Sequence, residues 1–298
     1  MKQILGLFLV GLMAAPVAAQ VAVDGLKDAG YGAALAVQTV QTQFGDNESE
    51  WNAGYALIDS GKLYLMLTGN LQNNFNKLDI FIDSKAGGQS VFDSAGNDNS
   101  SVMDGLVFDA GFTADYHIIA RRGDSGGPRF DVDFANLGTQ SASGYFDILT
   151  GSGDSGVGST GTGVNGNPIV VGYDGSNLAG VTGGTAAADQ TAAAAVTTGL
   201  ELSIDLADIG FVGGAINIMV GQNNGDHNYW SNQFLGGLAA PQGNLGGDGA
   251  GTFTGEGAID FTTLAGNQFF TIRGIPEPAS LGLAALAGVS LLSIRRRK

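Results

Sequence analysis

The sequence predicts an all-β protein, a single jelly-roll-like β-sandwich with long glycine-rich loops, set between two targeting segments. Three observations predict it. Short runs of alternating apolar residues recur along the middle of the chain, 50 of the 298 residues are glycine, and helical stretches are scarce. Alternation at period two hides one face of a pleated strand, and frequent glycines supply the reversals between strands.

The elements follow in chain order. Lys2, the apolar run 4–15 and Val17-Ala18-Ala19 before Gln20 form a secretory signal peptide over residues 1–19, to be removed by signal peptidase. Strands are expected at 55–59 and 62–68, joined by the tight turn Asp59-Ser60-Gly61-Lys62. In the second of these, Leu63, Leu65 and Leu67 share one face and Tyr64, Met66 and Thr68 the other. Leu78, Ile80 and Ile82 repeat the pattern, as do Leu202, Ile204 and Leu206, then Ile216, Ile218 and Val220. Further strands are expected at 106–108, 116–121, 130–134, 145–149, 169–173, 229–234 and 269–272, each half-buried. Helix is expected only as one turn at 206–209 and an alanine-rich piece at 186–196. Residues 94–101, 151–167 and 236–257 lack periodicity and read as loops, the second of them mobile. Strands resume in the same style on both sides of each loop, so residues 20–274 are expected to form one domain.

Charge narrows the partners. The chain holds 13 basic and 28 acidic residues, a net charge of −15. Five of the basic residues lie in the two ends, so a body cleaved after Pro278 keeps eight against 28, or −20. Such a surface repels nucleic acid and attracts divalent cations. With no cysteine and two histidines, disulfides are excluded and a zinc site is disfavoured.

The chain ends IPEPASLGLAALAGVSLLSIRRRK over residues 275–298. Pro276, Glu277 and Pro278 precede an apolar run of 16 residues, 279–294, and then Arg295, Arg296, Arg297 and Lys298. As a helix that run spans roughly 24 Å, slightly short of a hydrocarbon core of about 30 Å, with the basic cluster on the cytoplasmic side. The order of motif, short span and basic stop resembles the PEP-CTERM sorting signal of exported bacterial proteins. The resemblance implies recognition by a membrane-embedded exosortase, cleavage near the motif, a transient membrane anchor, and a destination at the cell surface or outside the cell. It also implies association with extracellular polysaccharide. The alternative is an ordinary C-terminal anchor.

The body has its own order of segments: Val23-Asp24-Gly25 with Asp28 and Tyr31, GKLYLMLTGNL at 61–71, NKLDIFID at 76–83, GLELSIDLADIGF at 199–211, and INIMVGQNNGDHNYW at 216–230. This is similar to the DOMON-like superfamily that includes family 9 carbohydrate-binding modules, and it implies a sandwich with a sugar ligand. The chain departs from those modules in reading Tyr31-Gly32 where they often have Tyr-Trp, and in its long glycine-rich loops.

Three constellations carry candidate chemistry. Residues 123–128 spell GDSGGP, the nucleophile motif of chymotrypsin-like proteases. A serine nucleophile needs a histidine base and an orienting carboxylate. Here His117 lies eight residues before Ser125 in the same strand run, so the motif reads as a charged hairpin loop, and no catalytic set is expected. Asn223, Asn224, Asp226 and His227 lead into Trp230, pairing amide and carboxylate groups for sugar hydroxyls with a flat ring for the C–H face. Trp51 is a second candidate platform. The alternative is that Trp230 is a core residue and the rest a hydrated turn. Asp93, Asn97, Asp98 and Asp104, with Asn99, form an oxygen-rich loop for Ca²⁺, without the spacing of an EF-hand. The lead expectation is a non-catalytic surface or matrix protein with a glycan-binding role. A purely structural, adhesive, cation-binding protein and a secreted glycoside hydrolase are the alternatives.

Overall fold

The computed structural model describes residues 21–273 apart from 152 and 256. The expected signal peptide and the sorting tail with Pro276, Glu277 and Pro278 lie outside the described residues. Among the described residues, no helix is long and apolar enough to cross a membrane.

The chain is built almost wholly of strands, arranged as two antiparallel seven-stranded sheets. The first runs in the order β1 (Ala36–Val37), β2 (Glu50–Asp59), β3 (Lys62–Asn70), β11 (Gly199–Asp205), β10 (Val170–Asp174), β9 (Ser155–Ser159) and β8 (Leu149–Gly151). The second runs β13 (Trp230–Leu235), β12 (Ala215–Asn223), β4 (Lys77–Asp83), β5 (Tyr116–Asp124), β6 (Pro128–Asn136) and β7 (Ser141–Tyr145), with β14 (Phe269–Arg273) pairing β12 beside β13. The predicted turn between β2 and β3 forms, with Ser60 and Gly61 both at positive φ, as a two-residue hairpin matched to strand twist requires.

The alternation read in the sequence selects the inner faces. Leu63, Leu65 and Leu67 of β3 and Leu200, Leu202 and Ile204 of β11 meet Leu78, Ile80 and Ile82 of β4 and Ile216, Ile218 and Val220 of β12 in one cluster. Two sheets sharing a single core is the arrangement of a β-sandwich. On the outer face of the first sheet, buried Glu201 accepts the N–H groups of Asp24 (2.9 Å) and Gly25 (3.1 Å) and the Tyr31 hydroxyl (2.7 Å). The opening segment is thereby fastened across β11. Burial pushes the carboxyl of Glu201 and the phenol of Tyr31 up.

Three expectations are corrected. Residues 145–149 are not one strand: β7 ends at Tyr145, and the next residues carry the chain from the second sheet to the first, where β8 begins. Residues 151–167 are not simply a loop, because β9 pairs with both β8 and β10. Its glycines permit the approach, since a Cβ on Gly158 would lie 1.8 Å from the Ile148 carbonyl oxygen. Residues 106–108 form only isolated bridges, through Val107 to Val91 and Asp260. The short helix α1 (Gln190–Ala195) lies where the alanine-rich piece predicts it, with Asp189 capping the N–H groups of Thr191 and Ala192.

The second sheet also departs from the half-buried pattern. Its outer face carries a second apolar cluster in which Phe81 of β4 and Met219 of β12 pack with Phe92, Phe108, Phe112 and Phe261 from the segments between strands. All of β4 except Asp83 is buried. Charged residues that alternation would place toward water therefore lie under protein.

Candidate functional site

Residues Lys77 and Asp79 of β4, His117 and Arg121 of β5, and Asp131 and Asp133 of β6 alternate with the core positions and project from the outer face of the second sheet. Two segments close over them, the 3-10 stretch Asn97–Met103 and the turn that ends at β13. These are the acidic loop and the polar turn read in the sequence, brought together here. The Asp98 carboxylate pairs with Lys77 Nζ and Arg121 Nη1, both at 3.0 Å. Lys77 Nζ also donates to the Asp98 carbonyl at 2.8 Å. Arg121 pairs in addition with Asp133 and, at 3.6 Å, with Asp131 Oδ2, the same oxygen that Arg129 engages at 2.6 Å.

Asp79 is the hub. Its Oδ1 lies 2.8 Å from His117 Nε2 and 3.0 Å from His227 Nε2. His227 Nδ1 lies 2.9 Å from the Asp98 carbonyl and 3.4 Å from Lys77 Nζ, which ties the turn to both the acidic loop and the sheet. His117 lies stacked 4.3 Å from Phe81, its Nδ1 buried without a partner. Burial lowers the basicity of His117 against the pull of Asp79, leaving a neutral ring that donates from Nε2. Burial also works to raise the Asp79 carboxyl, but the two imidazoles outweigh it and hold the group at about 2. Asp133 is raised by burial, against the attraction of Arg121. Asp98, Asn99 and His227 all take positive φ where the two segments meet, a conformation costing about 1–3 kcal/mol each for such residues. Asp79 and His117 are 0% exposed and His227 1%, so this centre of the group binds the covering segments to the sheet and is shut away from solvent.

The sign of the resulting pH dependence is defined. A carboxyl depressed in the fold stabilises fully above its unfolded value and loses that contribution as pH falls through the folded one. The stability gap between the wild type and Asp79→Asn, followed by urea denaturation, is expected to narrow by about 2 kcal/mol as pH falls from 5 to 2. A gap that stays constant over that range would show Asp79 to be uncoupled from the imidazoles. His117 acts in the same direction, because burial lowers its basicity in the fold and the unfolded ring takes up its proton first, at about 6.5.

The predicted site residues are thus redistributed. Trp51 is fully buried in the common core, its Nε1–H donating to Gln222 Oε1 at 2.8 Å. Trp230 is 2% exposed and packs on Phe234 with a centroid distance of 5.4 Å. Neither indole offers a face to a sugar; both are core residues. Asn223 is buried, and its Oδ1 accepts the N–H groups of Asn224 and Tyr229. Asn224 and Asn228 bond to each other at 2.6 Å, and Asp226 is exposed. In the proposed calcium loop, Asp98 turns inward to two cations, Asp104 accepts the Ser94 N–H at 2.8 Å, and Asn97 accepts the Ser100 hydroxyl at 3.4 Å. Asp93 contributes its backbone carbonyl to Gln89 and Gln140. The carboxylates diverge, and among the described residues no group of three or more His, Cys, Asp or Glu is placed to hold a metal ion. GDSGGP forms the turn of the β5–β6 hairpin, where Gly127 N–H donates to Asp124 Oδ1 at 3.0 Å. His117 lies near the far end of β5, roughly 26 Å from Ser125 at about 3.3 Å per residue.

Beside the polar turn lies a feature that the sequence reading missed. Tyr229, one residue before buried Trp230, is half-buried and meets two rings: Phe44, 6.2 Å away and 19° from parallel, and Phe253 at 4.4 Å and 34°. Phe253 is 58% exposed. The Tyr229 hydroxyl donates to the Gly251 carbonyl at 3.1 Å and fixes the ring against the loop that carries Phe253. One signal pointed to this row: Phe253 is a lone aromatic in a glycine- and threonine-rich stretch. Comparison with protein-family models, curated proteins and solved structures finds no match for the chain.

Proposed function

We propose that this is an exported, non-catalytic cell-surface or matrix protein that binds polysaccharide through the outward row Phe44, Tyr229 and Phe253. The observation that carries the reading is the row itself: Tyr229 stacked with Phe44 and tilted against a largely exposed Phe253, in the same segment as the paired amides of Asn224 and Asn228. Apolar ring faces suit the C–H surface of a pyranose, and amides suit its hydroxyls. On this reading signal peptidase removes residues 1–19 and exosortase acts on the tail at Pro276–Pro278. The tail's resemblance to PEP-CTERM signals supports that export route, and the acidic body suits a soluble life outside the cell.

Affinity electrophoresis of the exported body through gels containing a panel of polysaccharides tests the binding. At least one polysaccharide is expected to retard the protein in both calcium and chelator. The double variant Tyr229→Ala/Phe253→Ala is expected to lose about tenfold or more in affinity, as for removal of central aromatic contacts, at an unchanged far-UV spectrum. Retardation that persists in the double variant overturns the assignment of the row.

A further inference from the structure

A polar cleft of about 350 Å³ opens where the segment after β3 and the segment after β10 leave their strands. Asn47, Glu48, Asn70, Gln72, Asn73 and Arg122 line it. Arg122, on β5, fastens the segment over residues 71–76 at both ends. Its carbonyl accepts the Phe75 N–H at 2.8 Å, and its Nη1–H donates to the Leu71 carbonyl at 3.0 Å. The rest of the guanidinium is under-used. Nη2 pairs with the Asp154 carboxylate and the Tyr173 hydroxyl lies beside the guanidinium, while Nε is buried and has no hydrogen-bond partner. Nε–H and Nη2–H form one edge of the guanidinium, and that edge matches the two oxygens of a single carboxylate. Asp154 engages half of it. Its carbonyl accepts the Gly175 N–H at the cleft wall at 3.0 Å, yet its side chain remains 56% exposed and is the movable partner.

We propose that this cleft binds a carboxylate-bearing saccharide unit, a uronate, whose carboxylate displaces Asp154 and takes both Nε–H and Nη2–H of Arg122. The amides and Glu48 then serve the hydroxyls. Of the residues lining the cleft only Leu71 is strongly apolar, so an aliphatic acid finds no matching surface, and Glu48 repels a second carboxylate. The site is separate from the aromatic row and does not depend on it.

The test uses glucuronate as probe, with glucose, acetate and inorganic phosphate as controls, on the exported body carrying Tyr229→Ala/Phe253→Ala, so that loss of the row and loss of the cleft are told apart. Glucuronate is expected to shift the Arg122 Nε–H resonance in ¹H–¹⁵N spectra and to bind more tightly than any control. Asp154→Ala, which removes the internal competitor, is expected to tighten binding about threefold, the scale of an exposed ion pair. Arg122→Lys keeps the charge without the planar edge and is expected to weaken binding more than tenfold. An unmoved Nε–H resonance, or equal affinity for acetate or phosphate, overturns the proposal. Should Arg122→Lys fail to fold, an Asp154→Ala affinity no tighter than that of its parent overturns it as well.

Discussion

Asp79→Ala is expected to destabilise the protein by about 3–5 kcal/mol, the scale for removing one member of a buried charge network and leaving its partners uncompensated. Asp79 is 0% exposed, and its Oδ1 is the shared partner of both imidazole Nε2 atoms, at 2.8 and 3.0 Å. Without it His117 Nε2 and His227 Nε2 lose their shared partner in a buried site where the Phe81 and Phe92 rings flank His117 and offer no replacement acceptor. Desolvation makes such a network a weak net contributor, so an apolar replacement of the whole group is tolerable where loss of one member is not. The effect is expected to reach the covering segments first. Amides of residues 97–103 should lose hydrogen-exchange protection, because Asp98 holds them down through Lys77 and Arg121. Urea denaturation measures the total, and a loss below about 1 kcal/mol would contradict the role of Asp79 as hub.

Trp230→Ala is the second large effect, expected at about 3–5 kcal/mol, the range for truncating a buried large aromatic. The indole lies against Phe234 and over Gly221, where even an added Cβ would come within 2.7 Å of the ring. The strand that carries it also pairs with the glycine-rich loop, the Trp230 and Gly246 backbones exchanging two hydrogen bonds of 3.0 Å. Any loss of polysaccharide binding in Trp230→Ala should therefore follow the unfolded fraction and be restored at temperatures where the variant is folded. Tyr229→Ala should behave in the opposite way. It gives up one hydrogen bond from a partly exposed ring, a cost of about 1 kcal/mol, and should lose binding while folded. Measured together, melting curves and affinities of the two variants separate the core residue from the surface one. If the folded Trp230→Ala protein loses binding while Tyr229→Ala keeps it, the assignment of outward and inward residues on this segment is wrong.

The contrast between these neighbours shows what was legible in the chain. The segment at 223–230 stood out for its chemistry, and the strand that follows it was expected. Which of its aromatics reaches water depends on the distant segments that fold over the second sheet and cover Trp230. Phe44 and Phe253 lie far from Tyr229 in sequence, and nothing local links the three rings. The acidic loop at 93–104 was legible as unusual, but its oxygen-rich composition suited a cation in water as well as it suits Lys77 and Arg121 beneath it.

The sequence by itself determined the inner faces of the strands with clean alternation, β3, β4, β11 and β12, because period-two alternation is a local property and one buried face per strand is enough to write it. Leu63, Leu65 and Leu67 face inward as read, as do Leu78, Ile80 and Ile82. It also determined the turn at Ser60-Gly61 and the hairpin at GDSGGP, where the need for glycine is local too. Only the tertiary structure decided the fate of the opposite faces. Alternation cannot tell a polar residue that meets water from one that meets another charge under a folded-back loop. Lys77, Asp79, His117 and Arg121 lie on the faces opposite the common core, and they are buried because Phe92, Phe108, Phe112 and Phe261 arrive from distant segments to cover that sheet.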